Sequence, residues 1–471
     1  MVFSSLEFIF IFLPIFLVIY YRLPARLRNV CLLAGSLAFY LYGSWSTPFY
    51  FFLLLASIAF NWALALALAP QKGEKGNKAL LALGVVLNLG LLFLYKYCGF
   101  VFGSINALLG MPEGKGLPQI SWALPLGISF YTFMHLAYLI DVYRGNVRPE
   151  GSLWRYATFA AFFPKVTSGP ITTYQELDAP LDRRGLSMAR FDNGLRDFII
   201  GLGLKVLLAN QIGGLFSQLG MIGYDSISTP LAWLGSLSYS LQLYFDFYGY
   251  SLMAIGVGKM LGFRLPDNFH HPYVARTMTD FWRRWHMTLG MWFRNYLYIP
   301  LGGNRCSKGR HTLNLLIVWL ATGLWHGASW NFVLWGLFLF VILWSEKYLT
   351  GKGLTGDGVG SKILSHVYMV FLILFQWTLF AITDVKELGV YLGRLFGIGG
   401  NVMDKLDYVR YLGSYGWKLA LGILFATPLP RRLFKPLRKT LLGTFILFAI
   451  FAAAIYCVSI GSNDPFMYFN F

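Results

Sequence analysis

Apolar residues in this chain run on instead of alternating with polar ones, and the runs predict helices. Apolar spans lie near residues 5–21, 30–44, 49–69, 79–97 and 122–140, then near 153–171, 197–219, 229–260, 312–345, 361–383, 413–428 and 440–461. Most reach the roughly 17–25 residues needed to cross ~30 Å of hydrocarbon. Some are too long for one crossing or contain glycine, which predicts bent or re-entrant pieces. The pattern predicts an all-α, polytopic transmembrane helical bundle of about 10–12 crossings plus re-entrant or interfacial helices. It forms one integral membrane domain over residues 1–471, because the longest polar stretches, 172–196 and 346–362, are too short for a soluble domain. Ser5 to Tyr21 is followed by Arg22 and no small-residue cleavage site, so a retained first helix is expected.

Composition agrees. Hydrophobic residues make up 56% of the chain and charged residues 13%, with a mean hydropathy of +0.56. Cys31, Cys98, Cys306 and Cys457 are scattered without metal or redox spacing, so neither a metal site nor a disulfide framework is expected.

The net charge of +18 changes the picture only through its placement. The basic residues sit in short loops at 22–28, 71–78, 141–155, 302–311 and 431–439, whereas 45–48 carries no charge. That distribution is the signature of cytoplasmic loops beside anionic lipid and excludes a nucleic-acid partner. It predicts both termini outside the cytoplasm. No fixed-period repeat and no inverted pair of broken helices is visible.

Candidate chemistry is concentrated at 241–336. Asp246 lies within an apolar span, where a carboxylate is expensive to bury. It either bonds a neighbouring helix or orients a catalytic group in a polar tunnel. His270 and His271 are adjacent, point in different directions and make a poor chelate pair; a proline-rich interfacial loop accounts for them. If Thr279–Thr288 is helical, Asp280 caps its start and Trp282, Trp285 and His286 share one face. Its mixture of Trp with Arg283 and Arg284 predicts a segment lying in the membrane interface, where the histidine could be incidental. His326 stands sixteen residues beyond Arg310, roughly 24 Å along a helix. Gly323 and Gly327 flank it and allow close approach. Two such histidines with Asp246, Asn331 and an arginine-rich segment nearby point to a site.

At these residues the sequence resembles the membrane-bound O-acyltransferase superfamily, in particular the bacterial branch of alginate O-acetyltransferases and D-alanyl-lipoteichoic acid transfer proteins. The resemblance runs nearly end to end. It is carried by Gly127–Phe133 with Asp141–Arg144, Phe163–Ile171, Phe281–His286, Tyr298–Arg305, Gly323–Ala328 and the C-terminal run from Pro465. The runs Leu301–Arg305 and Gly323–Ala328 look like the alginate type. Three positions depart from the pattern. Asn295 stands where aspartate is usual, His135 where glutamine is commoner, and Phe380-Ala-Ile382 replaces a Phe–Arg pair.

The resemblance implies acyl transfer in a bacterial inner membrane. The donor is acetyl-CoA or another acyl thioester at the cytoplasmic face, with no permanently bound cofactor. It also implies a separate extracytoplasmic, esterase-like transferase that delivers the group to a cell-envelope polysaccharide. His326 and His286 are the expected catalytic pair, His326 as general base. Asp246, Trp285, Trp325, Asn331, Arg283 and Arg284 are the expected substrate or tunnel-lining residues. The arginines attract the donor's phosphates or anchor to headgroups. D-alanyl transfer to teichoic acid from a carrier-protein thioester, a flippase with a histidine proton relay, and a non-catalytic scaffold are the rival readings.

Overall fold

The computed structural model describes residues 2–69, 76–112, 115–120, 122–182, 184–349, 356–399, 402–461 and 467. Lys72 and Lys75 of the second basic loop, and all but Met467 of the Pro465–Phe469 run, lie outside the described residues. The described residues are helical, with no strand. Six helices among them are long and apolar enough to cross a bilayer: Phe49–Leu68, Lys78–Leu108, Met188–Ile222, Trp330–Tyr348, Val359–Ala381 and Leu441–Ile460.

The chain divides into two compact units, Met1–Phe198 with Ala254–Pro266, and Ile199–Met253 with Asp267–Phe471. In the first unit, the Ile128–Tyr143 helix is buried on nearly every side, which explains why its sequence is apolar around the whole circumference. Gly127 starts this helix at φ +69°, tight against the Val166 carbonyl, where a Cβ has no room. Asn61 and Asn88 exchange amide hydrogen bonds of 3.1 and 2.7 Å, joining the Phe49–Leu68 and Lys78–Leu108 helices by polar contacts inside apolar surroundings. The span expected at 153–171 is broken. The Leu153–Ala161 helix stops, and a single turn, Phe163–Val166, follows. Pro164 is the cause, since in a continuing helix it lacks the N–H that would bond the Ala160 carbonyl and its ring would clash with that carbonyl. The chain leaves helical geometry at Phe162, and Pro164 stands in the first turn of the new helix.

In the second unit, the span expected at 312–345 is two helices, Lys308–His326 and Trp330–Tyr348. They pack antiparallel: Gly323 abuts the Phe332 backbone, Gly336 abuts that of Trp319, and Trp344 Nε1 donates to Thr312 Oγ1 at 3.0 Å. A side chain at either glycine would force the helices apart. Gly201 and Gly249 play the same part where the Met188–Ile222 and Thr229–Met260 helices cross backbone to backbone. The basic stretch at 431–439 is largely a short helix, Leu429–Leu437.

Candidate active site

The Lys308–His326 helix ends at His326, five residues before Asn331. Gly327 is extended, and Ser329 precedes the next helix. The imidazole is 3% exposed. Three rings meet it edge-on: Trp325 at 5.0 Å, Phe380 at 5.1 Å and Trp335 at 5.3 Å between centroids. Asn331 supports this turn. Its amide donates to the Leu379 and Phe380 carbonyls at 3.2 and 3.1 Å, and its oxygen accepts from the Ser329 hydroxyl. Asn331 thereby ties the hairpin turn to the helix whose Phe380 ring packs on His326.

His286 is not on a continuous helix with Trp282. The Met278–Trp282 helix ends, a turn follows, and His286 takes φ +43° before the Met287–Phe293 helix begins. Thr277, not Asp280, caps the first helix; Asp280 pairs with Arg284 at 2.9 Å. Within the segment Phe281, Trp285 and His286 are each at most 1% exposed, whereas Arg283 is exposed. The left-handed turn is bought by Asn268. Its Oδ1 lies 3.0 Å from His286 Nδ1 and accepts from Thr288 Oγ1 at 3.0 Å and Thr288 N at 3.3 Å, while Met287 N donates to the Asn268 carbonyl at 3.0 Å. Such a conformation in a non-glycine residue persists only where surrounding structure determines it.

The two imidazoles are one indole apart, because Trp325 also meets His286 at 5.9 Å. Trp285 joins through Trp377 at 4.6 Å, Trp377 reaches Trp335 at 6.2 Å, and Trp335 meets His326. The Gln376 side chain is fully buried, and its amide has no hydrogen-bond partner among the described residues. It lies one helical turn before Phe380, hence on the same face. The buried indole N–H of Trp335 likewise has no partner among the described residues.

Asp246 and Arg284, also expected at the site, have ion-pair partners of their own. Lys205 Nζ meets Asp246 Oδ1 at 2.7 Å, and Met467 N donates to Asp246 Oδ2 at 2.9 Å. Arg284 is engaged with Asp280, and Arg283 is exposed. Asn268, Trp335 and Gln376 were not singled out from the sequence. An asparagine in a loop and a tryptophan or glutamine in an apolar span carry no local signal of what they face.

The chain matches the membrane-bound O-acyltransferase family over residues 148–352. It is 36% identical to the probable alginate O-acetylase of Azotobacter vinelandii, covering 86% of this chain and 80% of that protein. The chain belongs to the membrane-bound O-acyltransferase family. A probable alginate O-acetylase of Pseudomonas putida is 33% identical over the full length of both chains. The peptidoglycan O-acetyltransferase of Helicobacter pylori is 34% identical, covering 85% of this chain and 80% of that protein. The teichoic acid D-alanyltransferase of Bacillus subtilis is 28% identical, covering 54% of this chain and 70% of its own length. The protein is thus a multi-pass membrane O-acyltransferase, consistent with the six helices among the described residues that are long and apolar enough to cross a bilayer.

Proposed function

We propose that this O-acyltransferase takes an acetyl group from a thioester donor, acetyl-CoA, at the cytoplasmic face of a bacterial inner membrane. It passes the group across the membrane for O-acetylation of a cell-envelope polysaccharide, with an extracytoplasmic transferase as partner. The observation that carries the reading is the pair of buried imidazoles on either side of Trp325 in a chain similar to alginate and peptidoglycan O-acetylating proteins. The basic stretches at 302–311 and 431–439 favour cytoplasmic entry of an anionic donor.

In the proposed reaction an acceptor hydroxyl oxygen attacks the thioester carbonyl carbon, and His326 takes the hydroxyl proton. The tetrahedral oxyanion collapses, the C–S bond breaks, and His326 returns the proton to the departing thiolate. A general base of this kind contributes typically about 10²–10⁴-fold. His286 orients the hydroxyl. Its Nδ1–H donates to Asn268, which leaves Nε2 with a lone pair to accept from the hydroxyl and no proton to offer an oxyanion. That second task falls to N–H donors, for which Trp335 and Gln376 are the available groups.

The test is purified protein in sealed vesicles of known orientation supplied with labelled acetyl-CoA. Label is consumed when the 302–311 side is accessible and not from the opposite side. Equal consumption from both sides without permeabilisation overturns the direction. Transfer from a D-alanyl carrier protein and none from acetyl-CoA overturns the donor.

A further inference from the structure

In the second unit, Gln218 and the Asp407–Ala426 helix line a half-open polar pocket of about 280 Å³ that the acyl-transfer chemistry does not use. Its lining is Gln218, Arg410, Tyr411, Ser414, Tyr415 and Lys418. Tyr411, Ser414, Tyr415 and Lys418 fall at i, i+3, i+4 and i+7, a single stripe on one helix. The Tyr415 hydroxyl reaches over Gly214 of the facing helix, where a Cβ would approach it to 2.9 Å. Two cations line the cavity and no carboxylate does. Among the described residues neither Arg410 nor Lys418 has an ion-pair partner; Lys418 Nζ lies over the Tyr415 and Trp417 rings at 4.8 and 5.8 Å.

Lys418 lies eleven residues beyond Asp407, the first residue of its helix, roughly 16 Å along the axis. Leu412, Trp417 and Ile423 on the outward side are exposed apolar residues suited to lipid. Two cations beside hydroxyl groups and no carboxylate call for an anionic partner. The cavity supplies hydroxyl and amide groups but no negative charge. Its volume of about 280 Å³ falls just below the ~300–1,000 Å³ of small-molecule sites. That is room for a headgroup rather than a polysaccharide chain.

We propose that this cavity binds the phosphate of a membrane lipid, with Arg410 and Lys418 as its cationic clamp and the Tyr411, Ser414 and Tyr415 hydroxyls as donors. The guanidinium offers paired N–H groups to two phosphate oxygens, and the ammonium acts as a point charge. Two lipid sources share this chemistry, a bulk anionic phospholipid and a polyprenyl phosphate. The site involves neither histidine, so it stands whether or not the acetyl-transfer reading does.

The test is native mass spectrometry of the full chain in neutral detergent, titrated separately with phosphatidylglycerol, undecaprenyl phosphate and inorganic phosphate. The expected result is one saturable lipid whose apparent affinity falls at least tenfold in R410Q/K418Q. The same fall is expected in Ser414→Leu, which fills the cavity without altering charge. His326→Ala binds lipid as the wild type does. Tighter retention of one lipid identifies the source. Lipid retention unchanged in both cavity variants, displacement by equimolar inorganic phosphate, or no saturable lipid at all overturns the proposal. Thermal unfolding of each variant in the same detergent confirms that the compared chains are folded. Should R410Q/K418Q not fold, Ser414→Leu decides alone.

Discussion

The side-chain oxygen of Asn268 lies 3.0 Å from Nδ1 of His286, and the relationship settles which ring nitrogen carries the proton. The Asn268 atom facing Thr288 must be oxygen, because the Thr288 N–H there can only donate. The same oxygen faces the imidazole, so Nδ1 must be the donor and Nε2 the acceptor. Asn268 Nδ2 is itself steadied by Ser251 Oγ at 3.2 Å. A loop residue eighteen positions away thus sets both the strained turn and the tautomer of the histidine.

Asn268 is therefore expected to be a positioning residue. Asn268→Ala removes the acceptor and leaves a buried donor unsatisfied, at about 1–3 kcal/mol of stability, and it slows acyl transfer. Asn268→Asp keeps an acceptor and should recover much of the lost rate. Steady-state transfer by both variants, each checked for thermal stability, is the measurement. Equal impairment of the two would remove the tautomer role.

His326→Ala should lower acyl transfer by about 10²–10⁴-fold while expression and unfolding temperature stay close to wild type. Loss of an imidazole among Trp325, Trp335 and Phe380 removes a base and leaves their packing largely in place. Transfer within tenfold of wild type would exclude the general-base assignment.

His286→Gln should cost roughly 10²–10³ in rate, the effect of losing one positioned polar contact to the transition state. The burial of His286 makes a headgroup-anchoring role untenable, so a silent substitution would mean that Nε2 meets no substrate. Single-turnover transfer with a labelled thioester separates a slow chemical step from weak donor binding.

Asp246 and Lys205 should behave as a buried ion pair. Both side chains are at most 2% exposed, and breaking such a pair from one side costs about 3–5 kcal/mol. Asp246→Asn is expected to lower the unfolding midpoint in detergent markedly. The double variant Asp246→Leu/Lys205→Met, which removes both charges, should recover most of the loss. Equal instability of single and double variants would argue against the pair as the source.

The long apolar runs were legible from the sequence as helices, and 229–260 coincides with the observed Thr229–Met260. Breaks were less legible. At 153–171 the proline that ends the helix was visible, but surrounding apolar residues concealed its effect. At 327–329 no proline marks the turn, and Gly327 was read as a site of close approach within one long span. The single helix expected through His286 failed because i, i+3, i+4 spacing describes only a chain free to coil. Asn268 holds that segment in another conformation through hydrogen bonds that no local pattern encodes.

By itself the sequence determined that this chain is an all-α membrane protein, that its basic residues gather in short loops, and that His286 and His326 stand out chemically. These follow from local properties: apolar length against bilayer thickness, and the energetic cost of burying polar groups. Only the tertiary structure decided that Trp325 stands between the imidazoles, that Asp246 belongs to Lys205 forty-one residues away, and that Asn331 braces the turn carrying His326. Each of these joins residues from different helices, and their meeting depends on how close glycines let the backbones come and which faces then bury together.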